Sequence, residues 1–518
     1  MKYFKHSILI AVMLAHSVIQ SAAQTGAYTL NGGSATQTGQ TYSASSTDES
    51  GVYVLNSGNL TLTNCSITTS GNSSNTGNSS QYGLNAGILA ASSSKVTISG
   101  GSVTTSGSGA NGIFATGPGT SISMSNGTII ATGDNAHGVD ATYTGTIMLT
   151  NVDVSTSGSS SSALATDFGG GTVNVTGGTI ISKSTASNSH SAGIYSTGII
   201  SVSSATVASL GDCGGVIDGA NSILLTNTSL TGVVEGMKIH TTAPASGNAI
   251  VTISGGSLTS INGDGFYVTG ESGNATNATL TVKDGAVVTA GTNNILHVLS
   301  SSSAALTVDN DSVAGNIVAD NTSSVTMTLS TGSNLVGTIN ASNSAKSIAL
   351  TIDAASSWIV TANSYVNSFS DASGISGTSI NNITGNGFNI YYDATLSANS
   401  MLGGKTYSLV NGGVLAPKGS TAVDQQKSEQ LTGYILNQNY PNPFNPTTII
   451  TFSLPEQSHI KLEVFNLLGE PVTTLVDERC SAGSHFITFN ASGFSSGVYY
   501  YRMLADKFVS VRKLVIAK

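Results

Sequence analysis

Gly87-Ile88-Leu89-Ala90, followed by Val96-Thr97-Ile98, returns as Gly112-Ile113-Phe114-Ala115 and Ile122-Ser123-Met124. It returns again as Gly138-Val139-Asp140-Ala141 and Ile147-Met148-Leu149. Two short apolar phases therefore recur about every 26 residues, the mark of a stacked repeat. Within each phase the alternation has period two, so successive side chains face opposite sides of a strand. The Thr-rich phase extends from Leu60-Thr61-Leu62 through Val173-Asn174-Val175, Ile200-Ser201-Val202, Ile223-Leu224-Leu225 and Val251-Thr252-Ile253. It continues through Leu280-Thr281-Val282, Leu306-Thr307-Val308 and Met327-Thr328-Leu329 to Ile348-Ala349-Leu350. The Gly phase continues at Gly193-Ile194-Tyr195-Ser196 and drifts at Gly215-Val216-Ile217-Asp218, Gly236-Met237-Lys238-Ile239 and Gly265-Phe266-Tyr267-Val268.

The expectation is an all-β chain: a right-handed parallel β-helix of about 12 coils, then a small antiparallel β-sandwich. Like positions would stack about 4.8 Å apart, giving a rod roughly 55 Å long. Leu60/Leu62, Val96/Ile98 and Ile122/Met124 would point inward. An array of immunoglobulin-like modules needs about 100 residues per unit, so the period is too short for it. The β-helix is placed at 51–350, with an N-terminal cap at 24–50 and a C-terminal cap at 351–417. Trp358, Tyr365, Phe369, Phe388, Tyr391, Tyr392 and Tyr407 make that last stretch far more aromatic than the coils, as covering an open end requires. In architecture the coils resemble the right-handed parallel β-helix (pectin-lyase-like) superfamily of pectate lyases, polygalacturonases and bacterial adhesin passengers.

Of 518 residues only 8% are charged. Residues 24–420 hold 7 Lys, no Arg and 18 acidic residues. Such a segment is a poor ligand for phosphate backbones or anionic membranes, so no nucleic-acid partner is expected. Cys65, Cys213 and Cys480 cannot build a disulfide framework. Residues 1–23 read as a signal peptide: Lys2 and Lys5, the apolar run Ile8–Ala15, then Ser21-Ala22-Ala23 before a cut at Gln24. No membrane span is expected after that cleavage.

Residues 418–433 are polar and lack alternation, as a linker does. Beyond them come five of the eight prolines, all three arginines and cleaner strands such as Ile460–Phe465 and Val498–Arg502. Tyr434-x-Leu436-x-Gln438-Asn439-Tyr440-Pro441-Asn442-Pro443-Phe444-Asn445-Pro446 opens this region. Val464-Phe465-Asn466-x-x-Gly469, Ser496-Gly497-Val498-Tyr499-Tyr500-Tyr501-Arg502 and Lys513-Leu514-Val515-Ile516-x-Lys518 follow in order. Residues 434–518 thereby resemble the type A C-terminal sorting domain of the type IX (Por) secretion system, an immunoglobulin-like sandwich. The resemblance implies binding by the type IX translocon and sorting machinery, and passage across the outer membrane to the medium or the cell surface. The sorting motif would rest on Pro441, Asn442, Pro443, Phe444, Gly469, Gly497, Tyr499, Lys513 and Lys518.

The passenger lacks the Arg, Asp-Asp and Gly-His-Gly features of its enzymatic look-alikes. Asp212, Asp218, Glu235 and Asp264, with Lys238, lie near the Gly-phase strand of successive coils. Stacked carboxylates about 5 Å apart would suit retaining glycoside hydrolysis, although turn Asp residues commonly serve local hydrogen bonds. Asp134, His137 and Asp140 could form a base or metal cluster, and a solvated turn explains them more simply. No Cys/His spacing resembles a zinc site, and neither metal nor cofactor is expected. The outward row Leu89, Phe114, Asp140, Leu164, Tyr195, Ile217, Lys238 and Tyr267 offers rings at Phe114, Tyr195 and Tyr267 on which sugars could stack. The interrupted Ser/Thr face of the other phase follows β-propensity, not ice binding. The favoured reading is a secreted, surface-displayed, adhesin-like binder contacting glycans. A polysaccharide hydrolase or lyase comes second, and an inert surface-layer or stalk component third.

Overall fold

The computed structural model describes residues 24–185, 190–371, 373–419, 433–439, 442–480, 483–506 and 508–517. The expected signal peptide and all of the linker between 420 and 432 fall outside them. The chain divides into two units, one reaching residue 374 and a second comprising 359–364 and the residues from 375 onward.

The first unit is a parallel β-solenoid. The chain makes about 15 solenoid turns, with successive strands about 4.8 Å apart. Each turn contributes up to three strands to three ladders. The Gly ladder runs from Thr25–Asn31 through Ile88–Ala91, Ile113–Thr116, Val139–Thr142, Leu164–Thr166 and Ile194–Ser196 to Asn316–Ala319. The Thr ladder includes Lys95–Ser99, Ser121–Ser125 and Thr146–Thr150, paired in parallel register. A third ladder includes Ser102–Thr105, Thr128–Ala131 and Asp153–Thr156.

Alternation sets the packing as expected. Leu60/Leu62, Val96/Ile98, Ile122/Met124, Ile147/Leu149 and Val173/Val175 are buried, while the intervening Thr and Ser face out. Each such aliphatic side chain contributes about 1.5–3 kcal/mol when removed from water, and like stacks on like only because neighbouring turns complete the burial. Two rungs escaped the sequence count. Ser34–Thr38 pairs with Asn59–Thr63, but its inward pair is the small Ala35 and the polar Gln37; Ser368–Ser370 is a three-residue strand on Ser347–Ile352. In the first turn Tyr28 and Tyr42 stand 5.1 Å apart beside Gln37, so large polar side chains fill the bore where the ladder begins.

The corner between the Thr and third ladders needs one left-handed residue per turn. Asn64, Gly100, Asn126, Asn151 and Gly177 occupy that column at φ of 49 to 70°. Asn and Gly tolerate this conformation, which penalises other L-residues.

One coil carries an insertion, the helix Thr76–Tyr82. Asn75 caps its start by accepting the Asn78 amide, and Gly83 ends it at φ 73°.

In the second unit, Ile390–Tyr392 pairs with Val414–Pro417, and Tyr392 and Tyr407 are buried with their hydroxyls on the Lys405 and Leu402 carbonyls. Trp358, in the first unit, is fully buried and donates to the Gly337 carbonyl at 2.9 Å. Residues 435–516 form two antiparallel sheets: Ile435–Leu436, Thr447–Leu454 and Gly483–Asn490 in one, Pro471–Cys480, Ser458–Phe465, Gly497–Ala505 and Phe508–Ile516 in the other. Ile450, Phe452 and Leu454 from the first meet Leu462, Val464, Met503 and Leu514 from the second in one core.

Candidate functional site

The outward row of the Gly ladder is fixed by strand register: Tyr53, Leu89, Phe114, Asp140, Ala165, Tyr195, Val216, Lys238, Tyr267 and His297. Two expected members are corrected. Leu164 and Ile217 point into the core, because Ala165 and Val216 hold the outward slots. A third correction concerns Phe114, which is fully buried, not an exposed ring. The helical insertion returns over it, and a Cβ on Gly83 would lie 2.6 Å from its ring.

From Tyr195 onward the row opens. His137, Asp140 and Asp167 each bring one ligand-type atom within 4.8 Å of the others. Asp134, expected beside them, is instead exposed and accepts the Ser159 amide. Asp140 is completely buried, and the backbone amides of Asp167 and Ala141 are the groups that approach its carboxylate. Burial, then the charge of Asp167, pushes its carboxyl well above the usual range. Asp167 also lines an open groove of about 990 Å³ with exposed Phe168, half-buried Tyr195, Thr197, Ile199, Asn221, Thr242 and Ile250. Burial and the neighbouring Asp167, Asp218, Asp140 and Glu271 raise the Tyr195 phenol, so it stays protonated as a donor.

The four expected carboxylates do not gather. Asp212 accepts the Ser191 and Cys213 amides, each at 2.8 Å. Asp218 faces outward at the far end of its strand, where it accepts the Thr242 amide at 2.9 Å and the Thr242 hydroxyl. Glu235 and Asp264 do meet: the Asp264 amide donates to a Glu235 carboxylate oxygen. Asp264 is nearly buried, accepting from Nδ1 of His297 at 2.7 Å, from Asn294 at 3.0 Å and from the Thr292 hydroxyl. Burial favours its neutral form, but the bonds from His297, Thr292 and Asn294 outweigh that and hold it below the ordinary value. Glu235 goes the other way. Burial, reinforced by the Asp264 charge, pushes it up to about 7. Tyr267 packs edge-on to His297 at 5.7 Å, and His297 lines a second, smaller groove with Leu299, Val318 and Asp320. Lys238 is tied to Glu271 at 2.7 Å, with His240 on the other oxygen at 3.0 Å. Asp167, Phe168, Glu271 and His297 were missed in the sequence.

At the other end of the chain, Asn442 braces the final strand. Its side chain donates to the Lys513 carbonyl and accepts the Val515 amide at 2.8 Å. Phe444 is buried against Phe489 and exchanges backbone bonds with Val515 and Ala517. Tyr501, buried, accepts the Asn439 amide and donates to the Asn437 carbonyl, which fixes the entry segment to the sheet. Gly469 turns the hairpin after Phe465 at φ 80°, and Tyr499 packs on Phe494. Gly497 opens its strand, Pro443 follows a cis bond, and the Lys513 side chain is exposed; Pro441 and Lys518 fall outside the described residues.

Residues 438–517 match the secretion system C-terminal sorting domain. That match carries export across the outer membrane, to the cell surface or extracellular space, and implies the type IX secretion machinery as a partner. No helix of the described residues is long and apolar enough to cross a membrane. No curated protein matches the chain.

Proposed function

We propose that the exported solenoid is a surface or extracellular binding protein whose Gly ladder holds a glycan. The carrying observation is the groove beside Tyr195. Phe168, Ile199, Ile250 and the Tyr195 ring supply apolar surface, while Thr197, Asn221, Thr242 and Asp167 supply hydrogen-bonding groups. A pyranose ring has the same division, apolar faces and a polar rim, and binding sites for amphipathic ligands combine these wall types. Tyr267 lies three rungs from Tyr195, about 14 Å along the ladder. An extended chain could touch both. The carboxylates along the row favour neutral or amino sugars over uronates.

The test is retention of the secreted protein on a panel of insoluble polysaccharides. Tyr195→Ala and Phe168→Ala should each weaken retention about tenfold, equivalent to about 1.4 kcal/mol. Retention that is undiminished in the double variant would remove the groove from the reading.

A second reading has its own support. Glu235 near neutrality beside an ionised Asp264 is the split expected of an acid and its partner in hydrolysis, and His297 is oriented by Asp264. New reducing ends from a polysaccharide, absent with Glu235→Gln, would establish it; an inert wild type would dismiss it.

A further inference from the structure

The four-stranded sheet of the sorting domain keeps apolar side chains on the face turned away from its core. Val464 and Tyr501 are buried between the two sheets. Their chain neighbours Phe465 and Tyr500, paired across two adjacent strands, therefore face outward. Lys513 continues the same cross-strand row beyond Tyr500. Tyr500 and Lys513 are exposed, and Phe465 is half-buried with the Arg502 guanidinium 4.5 Å from its ring centroid. Phe465 leads straight into the hairpin 466–470, whose tip carries Leu467 and Leu468 at 68% and 83% exposure. That tip is held in one conformation. The Asn466 side chain accepts the Leu468 and Glu470 amides, each at 3.0 Å, and donates to the Glu470 carboxylate at 2.8 Å. Gly469 closes the turn at φ 80°. Two leucines are thus presented to water on an ordered support, next to two aromatic rings and a cation. Contiguous apolar surface rimmed by charge marks an interaction site, and a preorganised one loses less entropy on binding. The row also gathers pieces of three separate segments on which the family resemblance rests: Phe465-Asn466, Tyr500 and Lys513.

We propose that Leu467, Leu468, Phe465 and Tyr500, with Lys513 at the rim, form the surface on which the type IX secretion machinery takes hold of this domain. The complementary surface is an apolar cleft with an acceptor for the Lys513 ammonium. The match over residues 438–517 implies that machinery as the domain's partner, which selects it over a second copy of the chain. No residue of the solenoid takes part, so the proposal stands apart from the glycan reading.

The test measures export of the full chain from a bacterium that carries the type IX machinery, as the share outside the outer membrane against the share held in the periplasm. Leu467→Ser/Leu468→Ser should lower the exported share at least about tenfold, as loss of a central apolar anchor does. Leu467→Met/Leu468→Met keeps the apolar surface and should export like the wild type. Both leucines lie largely in water, so the purified Ser variant should keep the wild-type thermal midpoint. Tyr500→Ser, on a different strand, should also reduce export and keeps the test decisive if the hairpin variant folds poorly. Wild-type export of the folded Ser variant, or of Tyr500→Ser, would overturn the proposal. Equal loss in the Met and Ser variants would overturn the apolar contact. A wild-type dimer in sedimentation that the Ser variant dissociates while export persists would assign the face to a second copy instead.

Discussion

Replacing Phe114 with Ala separates a covered ring from an exposed one. The ring is fully buried, packed with Tyr53, Leu89, Ala86 and Ala91 under the turn that follows the helix Thr76–Tyr82. Truncating such a ring costs about 3–5 kcal/mol, whereas a change at an exposed site usually stays within about 0.5 kcal/mol. The contact with Gly83 gives a sharper form of the test. A Cβ there would lie 2.6 Å from two ring atoms and 2.8 Å from Leu89, at φ 73°. Gly83→Ala alone therefore meets both overlap and about 1–2 kcal/mol of left-handed strain. In Phe114→Ala/Gly83→Ala the new methyl enters space the ring has left, so the overlap with the ring vanishes while the Leu89 contact and the strain remain. The pair should fall short of additivity by about 0.5–3 kcal/mol, as touching residues do. Amide hydrogen exchange in the full chain reads this locally, without assuming that a repeat protein unfolds in one step. Phe114→Ala should speed exchange of 86–91 and 113–116 by roughly 100-fold or more, at 1.4 kcal/mol per tenfold. Unchanged exchange in Phe114→Ala, or strict additivity with Gly83→Ala, would refute the covering of the row by the insertion.

Glu235 makes stability depend on pH. Its folded value of about 7 lies above the ordinary 4.5, so the folded state holds the proton more tightly. Stability should accordingly fall as pH rises from about 4.5 to about 7. Asp140 acts in the same direction, so the readout is the difference between wild type and Glu235→Gln in thermal midpoint: the variant should flatten part of the fall, and parallel curves would contradict the assigned environment. Asn126, exposed at φ 54° in the turn column, tests backbone conformation alone. Asn126→Ala should lose about 1 kcal/mol in denaturant titration while Asn126→Gly stays within a few tenths, and equal losses would point to the side chain.

The solenoid was legible because its stabilising unit repeats: an inward aliphatic pair must recur wherever one turn covers the next, so Val96/Ile98 announces Ile122/Met124. The site was less legible because its members meet along columns, some 20 to 30 residues apart in the chain, and a column is only as good as its register. At Gly214-Gly215 the sequence offers two glycines. Aligning the second with Gly193 put Ile217 outside. The Gly193 amide instead follows the Cys213 carbonyl and Ile194 pairs with Gly215, so Gly214 is the true equivalent. Gly215 fills an inward slot because the Met237 side chain occupies the space, its sulfur 2.6 Å from where a Cβ would be. At Leu164 the marker glycine is replaced by Ala163, which shifted the outward reading from Ala165 to Leu164. Beyond Tyr267 the marker becomes Ile295, and His297 went unread although its strand continues the ladder. Asp167 lies in the turn after the next strand, one coil from Asp140, where no local motif joins them. Phe114 failed for another reason: what covers it belongs to the preceding coil's insertion, and alternation reports which side of a strand a residue takes, not what later lies over that side. Chemistry on such a ladder is therefore found by aligning each rung through its backbone bonds first and looking for groups second.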